Sequence, residues 1–252
     1  MSEKIFESLN LASLIGMNIG GGPKNSGEKS ALEYIDNRFK SLGKVILFDV
    51  GANVGQYLTL MKEVFGEKAE TYSFEPSKKT FQKLQSNFDG KTRVNLYNFG
   101  LGNENTKTIL FSEADESGKA SVYKRRLDHV NIYMNQSEEV EIKTLDSFCQ
   151  DHGIKHIHLL KLDVEGHELK VLDGSLKMLK SGAIDFIQFE FSSCNIDSRT
   201  YFQDFWYLLN DNYKIYRIVK DGLCPINQYK ETYEAFGITN YLAEKKHFLV
   251  KP

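Results

Sequence analysis

No stretch of this chain stays apolar for the ~18–20 residues that a membrane-spanning helix requires, so no transmembrane segment is expected. Cysteine is scarce. Cys149, Cys194 and Cys224 are odd in number, far apart and in no Cys-x-x-Cys pair, which argues against a disulfide framework and a cysteine-based zinc site and fits a reducing compartment. An excess of positive charge is missing too. Lys and Arg number 32 against 34 Asp and Glu, a formal net charge of −2, without the basic field that nucleic-acid binding needs. Nucleic acid is therefore not an expected partner; the short run Lys124-Arg125-Arg126 reads either as a local basic patch or, as short charged runs usually do, as solvated surface. Met1 to Leu14 is acidic and amphipathic rather than basic and then apolar, so it does not read as a secretory leader, and a cytoplasmic enzyme is expected. Two phosphate motifs are absent. No Gly-x-Gly-x-x-Gly occurs, and Gly20-Gly21-Gly22-Pro23 is not followed by the contiguous Gly-Lys-Ser/Thr that a P-loop demands. There is no internal repeat and no low-complexity tract.

What is present centres on Val45-Ile46-Leu47-Phe48-Asp49-Val50-Gly51-Ala52-Asn53-Val54-Gly55. An apolar run of this length suits a strand buried on both faces. Two glycines allow a sharp turn and a close backbone approach to a ligand, and Tyr57, Leu60, Met61, Val64 and Phe65 then recur at helical spacing. Strand, glycine loop and helix make the first half-unit of a nucleotide-binding α/β fold. The plain alternative is a tight strand-to-helix turn with no ligand.

In a chain of 252 residues, 41% hydrophobic and 26% charged, one large α/β domain or two small ones can form. Residues 1–43 read as an N-terminal helical extension or lid, broken at Gly20–Pro23 and ending at Gly43. Further strands are expected at Glu70–Phe74, Val94–Tyr97, Ile157–Leu162, Ile184–Phe191 and Tyr213–Val219, with either Ile238–Ala243 or Phe248–Val250 as the seventh. Helices are expected from Ser77 to Phe88, along Leu169, Leu172, Leu176 and Leu179, and from Tyr201 to Leu209. The β-α alternation implies a parallel sheet with right-handed crossovers. It lapses over about 105–143, where Lys107–Phe111 and Val140–Lys143 look like strands around a polar segment, 112–138, read as an insertion bordering the ligand cleft. Tyr229, Tyr233 and Phe236 either border the acceptor site or cover the sheet edge.

Acids end the core strands: Asp49, Glu75, and Asp163 with Glu165, while Glu190 lies near the end of a fourth. Carboxyl ends of parallel strands share one edge of the sheet, so these acids should converge on one cleft. Glu75 stands where an acid accepts hydrogen bonds from ribose hydroxyls. An acid beside the loop repels phosphates, so a cationic, phosphate-free nucleoside fits best, and S-adenosylmethionine has those properties.

Phe48-Asp49-Val50-Gly51-Ala52-Asn53-Val54-Gly55, Phe74-Glu75-Pro76, Gly100-Leu101-Gly102-Asn103, Thr144-Leu145-Asp146, Leu160-Lys161-Leu162-Asp163-Val164-Glu165-Gly166-His167-Glu168 and Asn240-Tyr241-Leu242-Ala243 together resemble FkbM-like methyltransferases over about residues 44–243. The resemblance implies a Rossmann-like three-layer α/β/α sandwich, with a seven-stranded, mostly parallel sheet whose last strand is antiparallel. It implies S-adenosylmethionine as methyl donor and S-adenosylhomocysteine as product. It implies Asp49, Gly51, Asn53 and Gly55 around the methionine moiety, Glu75 on the ribose, and Asn98 and Phe99 beside the adenine, with Pro76, Gly100 and Asp163 completing the donor set. The implied reaction is O-methylation of a hydroxyl on a sugar, in glycan, polysaccharide or natural-product synthesis. A weaker likeness touches Ser117-Gly118-Lys119-Ala120-Ser121 and points to Ser121.

A sugar hydroxyl is about as weak an acid as water, pKa ~15.7, so a general base or a metal must assist its attack. The candidates are Asp163, Glu165, His167 and Glu190, with Lys161 either tuning the charge or pairing with Glu190. A divalent metal held by Asp163, Glu165 and Glu190 is the second reading of the same acids, since hard oxygen ligands suit such ions. Rival readings keep the fold but change the acceptor to a polyketide, peptide or lipid hydroxyl, or drop turnover and leave a nucleoside-binding scaffold. A dehydrogenase is disfavoured by the missing pyrophosphate glycines. The oligomeric state is open, a homodimer included.

Overall fold

The computed structural model describes residues 26–246. Its main sheet has eight strands, in the order β10-β9-β11-β8-β7-β1-β2-β3. These are β1 (Val45–Val50), β2 (Ala69–Phe74), β3 (Val94–Tyr97), β7 (Ile157–Leu162), β8 (Ile184–Phe191), β9 (Tyr213–Val219), β10 (Gly222–Ile226) and β11 (Thr239–Lys245). From β3 through β8 every pairing is parallel. β11 runs antiparallel between β8 and β9, and β10 is antiparallel to β9. The sheet thus has one strand more than the expected seven. The extra one, β10, carries Pro225, whose missing N–H an edge strand tolerates, and it is joined to β9 by the two-residue loop Lys220-Asp221. The alternative seventh strand at Phe248–Val250 lies outside the described residues.

Alternation along β1 builds two cores. Phe48 and Val50 join Leu160, Leu162, Ile187 and Phe189 on one face. Val45 and Leu47 join Leu159, Phe186 and Leu242 on the other. The first face is covered by α4 (Leu145–Asp151), α5 (Glu168–Asp173), α6 (Leu176–Lys180) and α8 (Phe202–Leu209), with the short α7 (Cys194–Ser198) between β8 and α8. The second is covered by α1 (Glu28–Arg38) and α2 (Gln56–Phe65), with α3 (Lys78–Asn87) packed against α2 through Leu58, Leu84 and Phe88. These helical layers around the sheet make the α/β/α sandwich.

Three local outcomes differ from the sequence reading. α1 stops at Arg38, before Gly43, and its Ala31, Leu32 and Ile35 are fully buried in the second core. The helix along Leu169–Leu179 is split into α5 and α6 at Gly174-Ser175. A Cβ at Gly174 would lie 1.9 Å from the Gly102 carbonyl oxygen, and the Asp146 carboxylate accepts the Lys177 and Met178 N–H groups to start α6. Residues 100–143 supply a second, three-stranded sheet, β4-β6-β5, made of β4 (Gly100–Leu101), β5 (Thr106–Ser112) and β6 (Gln136–Lys143). The bridge Phe111↔Ser121 folds the segment after β5 back over the carboxyl edge of the main sheet. The aromatic residues Tyr233 and Phe236 cover α8 and the end of β8: Tyr233 lies 5.7 Å from Phe202, and Phe236 lies 5.2 Å from Phe191. Tyr229 donates to Glu234, which in turn accepts the first N–H groups of α8.

Candidate active site

The β1 loop sets the floor. Gly51 has φ 78°, and a Cβ there would meet the Asp163 carbonyl oxygen at 1.8 Å, so the loops after β1 and β7 touch through a residue without a side chain. The Gly51 and Ala52 N–H groups donate to the Phe74 carbonyl at 3.0 Å, and the Asp163 N–H donates to the Val50 carbonyl at 3.0 Å. Asn53 is also left-handed, at φ 48°, and its N–H donates to Glu75 Oε2 at 3.0 Å. Glu75 Oε1 accepts the Ser77 N–H at 2.9 Å. Burial pushes the Glu75 carboxyl up to about 7 against the pull of these two N–H groups.

Above this floor lies an open cleft whose empty space, its solvent-facing mouth included, is about 690 Å³. Among the candidates named from sequence, Gly51, Asn53, Glu75, Pro76, Gly100, Asp163, Glu165 and His167 line it. An apolar slot is built from Pro76, Leu101, Leu110, Ala120, Val122 and Ile142. Asn98 donates from Nδ2 to the Glu75 and Pro76 carbonyls and braces the loop. The Phe99 ring turns into the core beside Phe74 and Phe148, so Gly100 and Leu101 rather than that ring face the cleft. Gly55, at φ 92°, opens α2 and abuts the Phe88 ring.

Asp49 and Lys161 lie under the floor rather than in it. Lys161 Nζ is 3.3 Å from Asp49 Oδ1 and 3.3 Å from Asp163 Oδ2, and 5.0 Å from the centre of the Tyr57 ring. The expected pairing of Lys161 with Glu190 is thus replaced by pairing with Asp49 and Asp163. Along β7, Lys161 shares a face with Leu159, and that face looks onto α1 and α2. Burial opposes the Lys161 charge, but the carboxylates of Asp163, Asp49 and Glu28 outweigh it and hold its pKa above the ordinary value. Asp49 is fully buried, and burial raises its carboxyl while Lys161 pulls it back. Gln188 continues this polar layer. It accepts from the Tyr57 hydroxyl at 2.6 Å and donates to Glu28 Oε1 at 3.0 Å.

The carboxylates of Asp163, Glu165 and Glu190 converge, with one oxygen of each within 4.8 Å of the others. Glu165, at φ 52°, is paired with Arg125. Arg125 is the middle of the basic run read as solvated surface, yet it is 8% exposed and donates from Nη2 to Ser193 Oγ at 3.2 Å. Burial and the Asp163 charge raise Glu165, and Arg125 draws it back. Burial, then Asp163 and Glu165, holds Glu190 well above the usual carboxylate range, and no cation pairs with it among the described residues. Arg125 and Lys161 each occupy one member of the trio, so the set does not present three vacant carboxylates to a divalent ion.

His167 lines the cleft with Nδ1 3.1 Å from the Tyr123 hydroxyl. Burial, then Lys170, lowers it to about 4, so it is neutral and a weak base. Glu168 Oε1 accepts the Val164 and Gly166 N–H groups and so shapes the acid loop. Ser121 is buried and donates to the Glu165 carbonyl at 2.8 Å, tying the folded-back segment to that loop. Sequence reasoning missed Arg125, Tyr123, Glu28 and the apolar wall from β5 and β6. The Ser117–Ser121 likeness was the sequence signal pointing toward that region.

Residues 49–216 match the family model described as the methyltransferase FkbM domain, well over half of the chain. This chain is a member of that family. Among curated proteins, the FkbM-domain chain is 27% identical over 143 residues to "Methyltransferase 1" of Beauveria bassiana, covering 51% of this chain and 57% of that protein. It is 30% identical over 139 residues to a hexuronic acid methyltransferase of Haloferax volcanii, covering 54% of this chain and 52% of that protein. A 2-O-methyltransferase of Sinorhizobium fredii is 24% identical over 144 residues, covering 53% of this chain and 58% of that one. The FkbM-domain chain thus spans between half and three-fifths of each of these relatives.

Proposed function

We propose that this protein is an S-adenosylmethionine-dependent O-methyltransferase whose acceptor is a sugar hydroxyl. The observation that carries the donor assignment is a charge imbalance at the carboxyl edge of the sheet. When ionised, the carboxyls of Asp49, Asp163, Glu165, Glu190 and Glu28, in or beside the site, outnumber its two cations, Lys161 and Arg125. A ligand bearing a sulfonium and an ammonium offsets that excess, whereas a pyrophosphate would add to it. The rest of the cleft fits the same ligand. Glu75 has the position and acceptor oxygens for ribose hydroxyls, and the slot from Pro76 to Ile142 suits a flat apolar ring. The sugar acceptor is supported by the two curated relatives named as a hexuronic acid methyltransferase and a 2-O-methyltransferase.

The donor supplies a methyl group already activated for displacement. What the protein must add is orientation and removal of one proton. Lys161 fixes Asp163 at the cleft wall, and Arg125 fixes Glu165. Glu190 is the trio's member without a cation among the described residues, which leaves its carboxylate available to take a proton. Held at Gly51, Asn53 and Glu75, the donor would supply its methyl carbon to the acceptor oxygen, the electron pair of the broken carbon–sulfur bond staying on sulfur, and the Glu190 carboxylate would take the hydroxyl proton. Titration calorimetry with S-adenosylhomocysteine, followed by turnover on a panel of sugars, tests the assignment. Glu190→Gln is expected to lower kcat by about 10²–10⁴-fold while S-adenosylhomocysteine binds as before. Unchanged kcat would remove Glu190 as the base. Absence of S-adenosylhomocysteine binding to the unaltered protein would remove the whole reading.

A further inference from the structure

The segment after β5 meets the site on two fronts, and its side chains divide alternately between Ala120 and Arg125. Ala120 and Val122 line the donor cleft and pack on Leu110, Val140 and Ile142 of the second sheet. Ser121, Tyr123 and Arg125 turn the other way, as successive side chains of an extended chain do, and hold the loops that carry the acids. Ser121 Oγ donates to the Glu165 carbonyl at 2.8 Å and accepts the Tyr123 N–H at 3.1 Å. The Tyr123 hydroxyl lies 3.1 Å from His167 Nδ1. On its far side the His167 ring is stopped by Gly102, where a Cβ would lie 2.8 Å from Nε2. Arg125 pairs with the Glu165 carboxylate and donates to Ser193 Oγ at 3.2 Å, in the loop that follows Glu190. The segment is pinned to β5 where Ser121 and Phe111 exchange two backbone hydrogen bonds, of 2.8 and 2.9 Å.

We propose that Ala120–Arg125 is a positioning strap for methyl transfer, in which Ser121 and Tyr123 act on the donor site from behind its wall. The proposal rests on the methyltransferase reading above. An in-line displacement tolerates little error in the distance between its partners, and a misplacement of about 1 Å can cost about 10²-fold in rate. Here one wall of the donor slot and both acid-bearing loops are fastened to the same short stretch of chain. Glu165 stands in a left-handed conformation, at φ 52°, and the strap holds it twice, Ser121 at the carbonyl and Arg125 at the carboxylate. A donor in the slot rests on Ala120 and Val122, so its seating and the grip of the odd-numbered residues are parts of one equilibrium. Loosening the grip therefore weakens donor binding, and by the same linkage a bound donor tightens the grip on the acid loops.

The test is calorimetric titration of S-adenosylhomocysteine into the unaltered protein and into Ser121→Ala, Tyr123→Phe, Val122→Ala and the double variant Tyr123→Phe/Val122→Ala, with the melting temperature of each recorded without ligand. Ser121→Ala and Tyr123→Phe are each expected to weaken binding about threefold or more, although both side chains bond to the acid loop rather than line the cleft. The double variant is expected to weaken binding by less than the product of its two single effects, because both changes slacken one strap. Tyr123→Phe removes only a hydroxyl from a half-buried residue, so it decides the matter if Ser121→Ala does not fold. A lowered melting temperature in Tyr123→Phe with unchanged affinity for S-adenosylhomocysteine would make the contact structural only and overturn the proposal. Single effects that multiply in the double variant would overturn it too, and both results leave the donor assignment in place. Failure of S-adenosylhomocysteine to bind the unaltered protein would overturn the methyltransferase reading and the strap together.

Discussion

Glu75 shows how one side chain joins backbone geometry to ligand choice. Its two oxygens hold the N–H groups of Asn53 and Ser77, which fixes the loop after β1 against the turn after β2. Its carboxyl is raised to about 7 by burial. A raised acid binds its proton more tightly in the folded than in the unfolded chain, so this residue's contribution to stability is full below the ordinary carboxylate range and is lost as pH rises toward about 7. Donor binding runs the other way, because an ionised carboxylate is the better acceptor for ribose hydroxyls. The affinity for S-adenosylhomocysteine is therefore expected to rise as pH passes upward through about 7, and Glu75→Gln is expected to flatten that rise. Calorimetric titration over a pH series checks both, and a slope that persists in the variant would assign the effect to another group. Glu168, raised by burial to about 7 as well, is the group to examine next in that event.

Among the elements, α1 lies outside the matched family region yet reaches the chemistry. Its Glu28 accepts from Gln188, which accepts from Tyr57, whose ring lies beneath the Lys161 ammonium. Glu28→Ala would leave the buried Gln188 Nε2 without its acceptor, at a cost of about 1–3 kcal/mol. The expected result is a lower melting temperature together with weaker donor binding, with Glu28→Gln closer to the unaltered protein because it keeps an acceptor oxygen. Thermal denaturation with and without S-adenosylhomocysteine measures both. What the sequence made legible divides along the same line. Strands such as β1, β7 and β8 are mostly apolar and buried on both faces, and acids stand at or near their ends. That pattern is local, so it can be read. The partner of Lys161 was not legible, because alternation gave its face of β7 but not which acids the packed helices bring to it. β10 was hidden by Pro225, and the split between α5 and α6 by the distant contact of Gly174 with Gly102. Arg125 looks like any basic surface residue until the segment after β5 folds back and buries it.

For the molecule as a whole, several acids of the site, Glu75, Glu165 and Glu190 among them, are held at raised pKa values by their burial. Glu75 and Glu190 are both raised, and the cluster carries more negative groups than positive ones when fully ionised. A cationic ligand entering this field favours ionisation, so binding should expel protons. Calorimetry of S-adenosylmethionine binding near neutral pH, repeated in buffers of different ionisation enthalpy, is expected to show net proton release. S-adenosylhomocysteine, which lacks the sulfonium charge, is expected to release fewer. Equal release by the two ligands would mean that the sulfonium does not act on the acid cluster.

The place of β11 in the sheet also bears on how the chain is built in time. Among the described residues β9 pairs only with β10 and β11, and β8 is joined to that hairpin solely through β11. During synthesis from the N-terminus, residues 213–226 therefore leave the ribosome as a hairpin with no edge to dock on. The growing protein exposes the free side of β8, itself a run of buried apolar residues, until residues 239–245 follow. Glu190, the base of the proposed reaction, sits on that waiting edge opposite Asn240. β11 thus completes both the sheet and the wall behind the reactive carboxylate, and a nascent chain halted before it would hold a donor loop but no finished acceptor side.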